Sequence, residues 1–102
     1  YSLKDLKYWR EISSLISSEF HPILDAIQEL NVDQSVPIPE AGFELEGKRG
    51  EVIAEAEIAW PDKKFAVLNQ RDDIDVFDKA GWTYWIIDDS PEIIAKSIFE
   101  AF

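Results

Sequence analysis

The sequence contains no cysteine and no methionine, and its only histidine is His21. Without cysteine the chain has no disulfide, no thiolate zinc site and no thiol nucleophile, which is typical of a cytoplasmic protein. Without a second histidine, a histidine-rich metal site is excluded as well. His21 stands beside Pro22 with no partner visible in the sequence, so we expect a structural role for it. Because the chain begins with tyrosine and lacks methionine, we expect a fragment of a longer protein.

Basic side chains are also scarce. Ten Lys and Arg residues stand against 21 Asp and Glu residues, which gives a formal net charge of −11. A field of this sign repels phosphate backbones, so nucleic acid is expected as a partner only through the rest of a larger parent protein. No apolar run approaches the ~20 residues that span a bilayer, so no membrane partner is expected. The sequence does not fix the oligomeric state.

The apolar residues are sufficient for one modest core, and we expect a single domain over residues 1–102. From Leu3 to Phe20 they recur at spacings of three and four, which predicts an amphipathic helix. Pro22 should kink or restart this helix, and the apolar stripe continues to Leu30.

Alternating apolar and polar residues predict a β-hairpin, with a strand over 43–46, a turn at 47–50 and a strand over 51–60. A strict period of two places the apolar residues of the second strand on one face. These are Val52, Ala54, Ala56, Ile58 and Trp60. A tight turn at 61–64 then leads to the unbroken apolar run 65–68, which is typical of a central strand covered on both faces.

The remaining elements are a short helix, a strand and a last helix. Asp72 or Asp73 can cap the short helix, which ends before Gly81, and a strand follows over 82–87. Ser90 before a proline predicts the start of the last helix, with serine as its cap. The predicted order is therefore α-β-β-β-α-β-α, an α/β (α+β) domain whose mixed sheet contains an antiparallel meander flanked by helices.

A set of carboxylates forms the first candidate site: Glu44, Glu46, Glu55 and Glu57. Glu55 and Glu57 project from one face of the same predicted strand, and the hairpin brings Glu44 or Glu46 onto the neighbouring strand. Carboxylates that converge from adjacent strands hold Mg²⁺ in phosphodiester hydrolysis. Alternating glutamates are also the usual pattern of a solvent-exposed sheet face, so both interpretations stay open.

Two basic pairs, Lys48 with Arg49 and Lys63 with Lys64, lie in the two predicted turns. Lys63 or Lys64 could steady an attacking water, as a lysine does in nucleases, but exposed turns are also where lysine ordinarily lies. The acidic run at 71–78 lacks the glycine of a calcium loop and has Phe77 in its place, so it is interpreted as helix capping.

A helix, a three-stranded meander, a helix and a strand is the core order of restriction-endonuclease-like nucleases. Within it, Glu57-Ile-Ala-Trp-Pro61, then Lys64-Phe-Ala-Val-Leu68, then Ala80-Gly-Trp82 resembles the core of the very-short-patch-repair endonucleases. The same segment resembles the C-terminal ends of large bacterial helicase-like proteins. The resemblance covers roughly residues 39–88.

The resemblance implies a PD-(D/E)XK-type site in which Glu57 is the first catalytic carboxylate. In an alternative register Glu55 and Glu57 form the acidic pair, with Glu44 or Glu46 upstream. The implied catalytic residues are Glu57, Glu55 and Lys64, and the implied Mg²⁺ ligands are Glu44, Glu55 and Glu57. The second carboxylate of the family falls at Asn69 or Gln70, and an amide there weakens the binding of a hard cation. The expected function is therefore an accessory domain of a DNA-processing, helicase-like protein, with activity weak or lost.

A second interpretation is an interaction module without catalysis, which binds a partner protein through its acidic surface and an aromatic patch. The aromatic residues available for such a patch are Trp60, Trp82, Tyr84 and Trp85. Tryptophan and tyrosine are frequent anchors of interfaces, and they are also frequent core residues.

Overall fold

A mixed sheet with helices on both faces forms the framework of the molecule. The computed structural model describes residues 3–31, 35–69, 72–88 and 90–102, with side chains from residue 7 onward. The α-helices of these ranges are α1 (Leu3–Leu15), α2 (His21–Leu30), α3 (Ile74–Lys79) and α4 (Pro91–Ala101). The strands are β1 (Glu40–Glu46), β2 (Val52–Trp60), β3 (Phe65–Leu68) and β4 (Thr83–Ile86). Short 3-10 turns occupy Ser18–Phe20 and Pro61–Lys63.

The sheet has the order β1-β2-β3-β4. Strand β2 is antiparallel to both β1 and β3, whereas β3 and β4 run parallel. Helix α3 connects the parallel pair, as a crossover connection requires. The predicted mixed sheet with an antiparallel meander is therefore confirmed.

The break expected at Pro22 occurs earlier in the chain, and the structure contains two helices where the predicted order of elements has one. Helix α1 ends at Leu15, and a 3-10 turn separates it from α2. Ser17 is extended, with φ −70° and ψ 155°. Pro22 lies in the first turn of α2, where its missing N–H has no helical partner to lose. The break therefore precedes the proline, and the order of elements begins α-α rather than with a single helix.

The larger core lies between the sheet and helices α1, α2 and α4. Its fully buried side chains include Trp9, Phe20, Leu24, Ile27, Ile58 and Ile98. The ring of Phe102 packs edge-on against Trp60 and Phe65, with centroid distances of 5.4 and 5.0 Å. These contacts attach the end of α4 to the strands that it covers.

A smaller core lies on the other face of the sheet, beneath α3. Alanines of β2 and β3 form its floor: Ala54, Ala56, Ala59 and Ala66. The small floor leaves room for Phe77 and Trp82, whose rings meet edge-on at 5.3 Å. In β3, Val67 belongs to the larger core and Leu68 to the smaller one, so the prediction of a strand covered on both faces is confirmed.

The inward-facing residues of β1 and of β2 do not all belong to the same core. A single apolar face was predicted for β2, and this prediction is wrong. Ala56 packs in the smaller core and Ile58 in the larger one. In β1, Ala41 packs against the larger core and Phe43 against the smaller one. Between them Gly42 has a φ of +66°, which glycine adopts without the strain of a Cβ.

Asn31 is the buried polar side chain of the described ranges, with 1% of its surface exposed. Its Nδ2 donates to the carbonyl oxygen of Val36 at 2.7 Å, and its Oδ1 accepts from the amide of Val36 at 2.9 Å. The side chain therefore satisfies both backbone groups of a buried residue and holds the end of α2 to the segment that leads into β1.

Candidate functional site

Five polar residues lie where the first 3-10 turn reaches the interior of β2 and the end of β3. We call them the junction network: Ser17, Glu19, Glu57, Asn69 and Asp72. The Oε2 atom of Glu57 accepts hydrogen bonds from the backbone amide of Ser17 at 3.1 Å and from its hydroxyl at 2.5 Å. Ser17 begins the 3-10 turn, so the carboxylate satisfies an amide that would otherwise lack a helical partner.

The other half of the network joins the end of β3 to the same turn. The Nδ2 atom of Asn69 donates to Oε1 of Glu19 at 3.1 Å. The backbone amide of Asn69 donates to Oδ2 of Asp72 at 2.9 Å. Asp73, not Asp72, is the N-cap of α3, and neither carboxylate makes the side-chain cap that the sequence predicts. Asp72 instead closes the turn after β3.

Glu44 and Glu55 are brought together, because they are direct cross-strand neighbours in the hairpin. Both are exposed, on the side opposite to their strand neighbours in the smaller core. Glu46 is exposed too and lies opposite Val52, beyond an irregularity in the pairing. Glu55 also lines a shallow cavity of about 320 Å³ that includes Asp72. Glu57, in contrast, is directed to Ser17.

Lys64 lies away from these carboxylates. It occupies the turn between β2 and β3 with a left-handed backbone, φ 57°, and its side chain is exposed. The next residue, Phe65, pairs with Trp60. At ~3.3 Å per residue, the end of β2 is about 10 Å from the level of Glu57 along the strand. The structure therefore separates the predicted lysine from the predicted carboxylates.

Magnesium has no evident cage in the described ranges, where no three acidic or histidine side chains are arranged to hold a metal ion. The carboxylate of Glu57 is already bonded to Ser17, and Asn69 presents an amide N–H to Glu19. These residues, in this arrangement, do not fit a hard cation, which takes oxygen ligands. Binding of Mg²⁺ stays a prediction.

Sequence reasoning missed Ser17 and Glu19 as partners of the candidate site. Their hydrogen bonds span 40 and 50 positions of the chain, and no local pattern carries such a signal. Asn69 had been singled out as the position of an expected carboxylate. The position of Asn69 was the available signal, because residues that lie beside the end of β3 become part of the site.

Two of the four aromatic residues expected in a surface patch fill the cores instead. Only 4% of the surface of Trp60 and 9% of the surface of Trp82 is exposed to solvent. The indole of Trp60 donates to the carbonyl oxygen of Pro37 at 2.7 Å. Trp85 is half-buried and donates to the hydroxyl of Ser97 at 2.9 Å. Trp60 and Trp82 therefore have the core role that the sequence also allowed, and the interaction module stays a prediction.

His21 joins the first two helices. Its Nε2 lies 2.7 Å from the carbonyl oxygen of Ser13 in α1, which accepts the ring N–H. The side chain is half-buried and begins α2. This position agrees with the structural role expected for the single histidine.

A second cavity, of about 520 Å³, opens at the other end of β2. Apolar side chains form much of its wall: Pro37, Ile38, Ala59, Trp60, Pro61 and Phe102. Polar groups at Glu40, Asp62 and Lys63 contribute the remainder of the described lining, together with Ser35. We call this cavity the end groove, and Glu40 is both part of its wall and the first residue of β1.

Comparison of the chain with protein-family models, curated proteins and solved structures found no match. Within the described ranges, no helix combines the length and the apolar character needed to cross a bilayer.

Proposed function

We propose that this chain is a nuclease-like accessory domain of a larger, helicase-like DNA-processing protein, and that it does not itself cut DNA. The observation that carries the proposal is the junction network. In this network the carboxylate of Glu57 accepts a hydrogen bond from Ser17, and residue 69 is an amide in place of a carboxylate. The partner of the domain is then the rest of its parent protein, in the cytoplasm. The absence of cysteine agrees with that compartment.

The order of elements supports the nuclease-like part of the proposal. Three antiparallel strands, a helix and a parallel fourth strand agree with the core order that the resemblance implies, while the two helices before them differ from its single helix. A fold hosts many activities, so the shape of the domain supports an origin and not a reaction. The resemblance expects its two carboxylates at Glu57, within β2, and at the residue after β3, where this chain has Asn69.

The chemistry of the junction network supports the loss of activity. A carboxylate that accepts two hydrogen bonds from Ser17 must give them up to bind a cation through the same oxygen. The amide of Asn69 donates a hydrogen bond to Glu19, at the position where the nucleases of this class have a carboxylate. Lys64 lies in the turn after β2, about 10 Å along the strand from the level of Glu57, and its side chain is exposed. The net charge of −11 also repels an isolated DNA strand.

The decisive experiment restores the missing carboxylate. Amide chemical shifts are followed during Mg²⁺ and Mn²⁺ titrations of the wild-type chain and of Asn69→Asp. We expect weak, diffuse shifts in the wild type and saturable shifts at residues 57 and 69 in the variant. Asn69→Ala is the matched control, since it removes the amide without adding an acid. Adding Glu57→Ala to Asn69→Asp should abolish the saturable shifts.

Two results would overturn parts of this proposal. If the wild type binds Mn²⁺ saturably and cleaves plasmid or branched DNA, and Glu57→Ala stops the cleavage, then the domain is an active nuclease. If Asn69→Asp gains no metal site while its fold is intact by circular dichroism, then the junction network does not derive from a nuclease site.

A further inference from the structure

Strand β1 lies at one edge of the sheet and has features of a docking strand. Among the described residues β1 pairs on one side only, with β2. The backbone N–H and C=O groups that point away from β2 are those that an added strand would bind. The seven residues of β1 present about 20 Å of edge, enough for a short extended segment.

The charge of this edge selects its occupant. The charged residues of β1 are all glutamates and all exposed: Glu40, Glu44 and Glu46. Glu55 lies opposite Glu44 on β2 and adds to the same field. A second copy of β1 would place glutamates against glutamates, which disfavours self-pairing. The kink at Gly42 and the irregular pairing beside Leu45 shorten the regular stretch of edge that is available to any added strand. At these glutamates a basic strand meets attraction in place of repulsion.

The end groove adds an apolar anchor to this edge. It is continuous with β1, because Glu40 belongs to both. Its volume of about 520 Å³ exceeds that of a single large side chain, and Trp60 and Phe102 form part of its wall. At the opposite end of β1 the hairpin turn carries Lys48 and Arg49, both exposed. The positive turn limits how far a basic segment extends along the edge.

We propose that β1 and the end groove bind an extended basic segment of a partner protein by strand addition. An apolar side chain of the segment enters the end groove, and lysines or arginines two residues apart face Glu44 and Glu46. Main-chain hydrogen bonds to the edge supply affinity, while the groove and the glutamates supply specificity. This inference stands independently of the nuclease-like origin proposed above, because it uses neither Glu57 nor Asn69.

The test uses the whole chain, labelled with ¹⁵N, and a defined peptide. The peptide has one phenylalanine followed by alternating threonine and lysine, with blocked termini, so that its lysines share a face when it is extended. We expect saturable amide shifts along residues 40–46 and at the indole N–H of Trp60. A peptide with glutamate in place of lysine should not bind.

A second peptide separates strand addition from general attraction of opposite charges. This peptide is made in two versions, each N-methylated on one of the two alternating sets of backbone amides. Both versions keep every lysine, and one of them lacks the N–H donors that pair with a strand edge. We expect loss of the shifts along residues 40–46 with the peptide methylated on the pairing amides. Equal binding of the unmodified peptide and of both methylated versions would overturn strand addition.

Matched charge variants test the position of the site. Glu44→Lys with Glu46→Lys should weaken peptide binding by about tenfold, since two attractive pairs become repulsive. Glu29→Lys with Glu100→Lys changes the net charge equally on exposed helix positions and should change affinity by no more than about twofold. Equal weakening by both pairs, or the absence of saturable shifts in the wild type, would refute the assignment.

Discussion

The carboxylate of Glu57 holds Ser17 at the point where the first helix ends, although 40 positions separate the two residues in the chain. Glu57 lies in β2, in the interior of the sheet, and Ser17 precedes the 3-10 turn that leads into α2. This side chain therefore ties the link between α1 and α2 to the sheet. The residue that sequence patterns assign to catalysis has a structural task here.

Replacement of Glu57 by alanine should destabilise the domain. The variant loses two hydrogen bonds to a charged acceptor at a half-buried position, and we expect a loss of about 1–2 kcal/mol in the free energy of unfolding. Glu55→Ala is the matched control and should change it by no more than about 0.5 kcal/mol, because the Glu55 side chain is exposed. Urea unfolding followed by circular dichroism measures both values. Equal effects of the two substitutions would contradict this role of Glu57.

Glu55→Lys should stabilise the hairpin. Glu44 and Glu55 are directly opposite each other, and like charges in that position are unfavourable. An opposite-charge pair in their place is expected to add about 0.5 kcal/mol at low salt, and the gain should shrink as salt is added. Glu46→Lys, opposite the apolar Val52, makes the same change in net charge without creating that pair. A gain as large in Glu46→Lys would assign the effect to net charge alone.

Loss of the Asn31 side chain should be costly. Asn31→Ala leaves both the amide and the carbonyl of Val36 buried without their partners, and we expect a loss of about 2–3 kcal/mol. Asn31→Asp retains the acceptor but loses the donor when ionised, so it should also be destabilising at neutral pH. Thermal and urea unfolding of the two variants provide the measurement. Wild-type stability of Asn31→Ala would show that water replaces both hydrogen bonds.

Glu92 provides a prediction about pH. The hydroxyl of Ser90 donates to its carboxylate at 2.8 Å, and this bond is the main reason that the pKa of Glu92 is below its ordinary value. The stabilisation is present above the ordinary pKa and is lost as the pH falls through the lowered pKa. Ser90→Ala should therefore raise the pKa of Glu92, as measured by carboxyl ¹³C titration. An unchanged titration would show that backbone groups of α4 set this pKa.

The strands could be predicted from the sequence because their signals are local. The expected strand over 65–68 is observed at Phe65–Leu68, and the expected strand over 51–60 is observed at Val52–Trp60. The hairpin places Glu44 and Glu55 on neighbouring strands, whereas their direct pairing depends on the irregularity beside Leu45, which the predicted turn does not contain. The predicted cap at Ser90 has the right position and the wrong partner, since its hydroxyl bonds the Glu92 side chain.

The break in the first helix could not be predicted in the same way. Apolar spacing of three and four persists through Ile16 and Phe20, both of which are buried. The carboxylate of Glu57, distant in the sequence, stabilises the extended residue Ser17 at the break. The change of face at Gly42 is hidden for a related reason, because a strict period of two assumes a regular backbone.

The two faces of the sheet are covered unequally, and the coverage predicts how the native state opens. Helix α3 has six residues and rests on a floor of alanines, with Phe77 as its one fully buried side chain. So small a buried surface lets α3 detach by local unfolding while the larger core persists. The amide protons of α3 should therefore exchange with solvent by local opening, with a free energy well below that of global unfolding. The amide protons at the centre of β2 and β3 should exchange only when the whole domain unfolds.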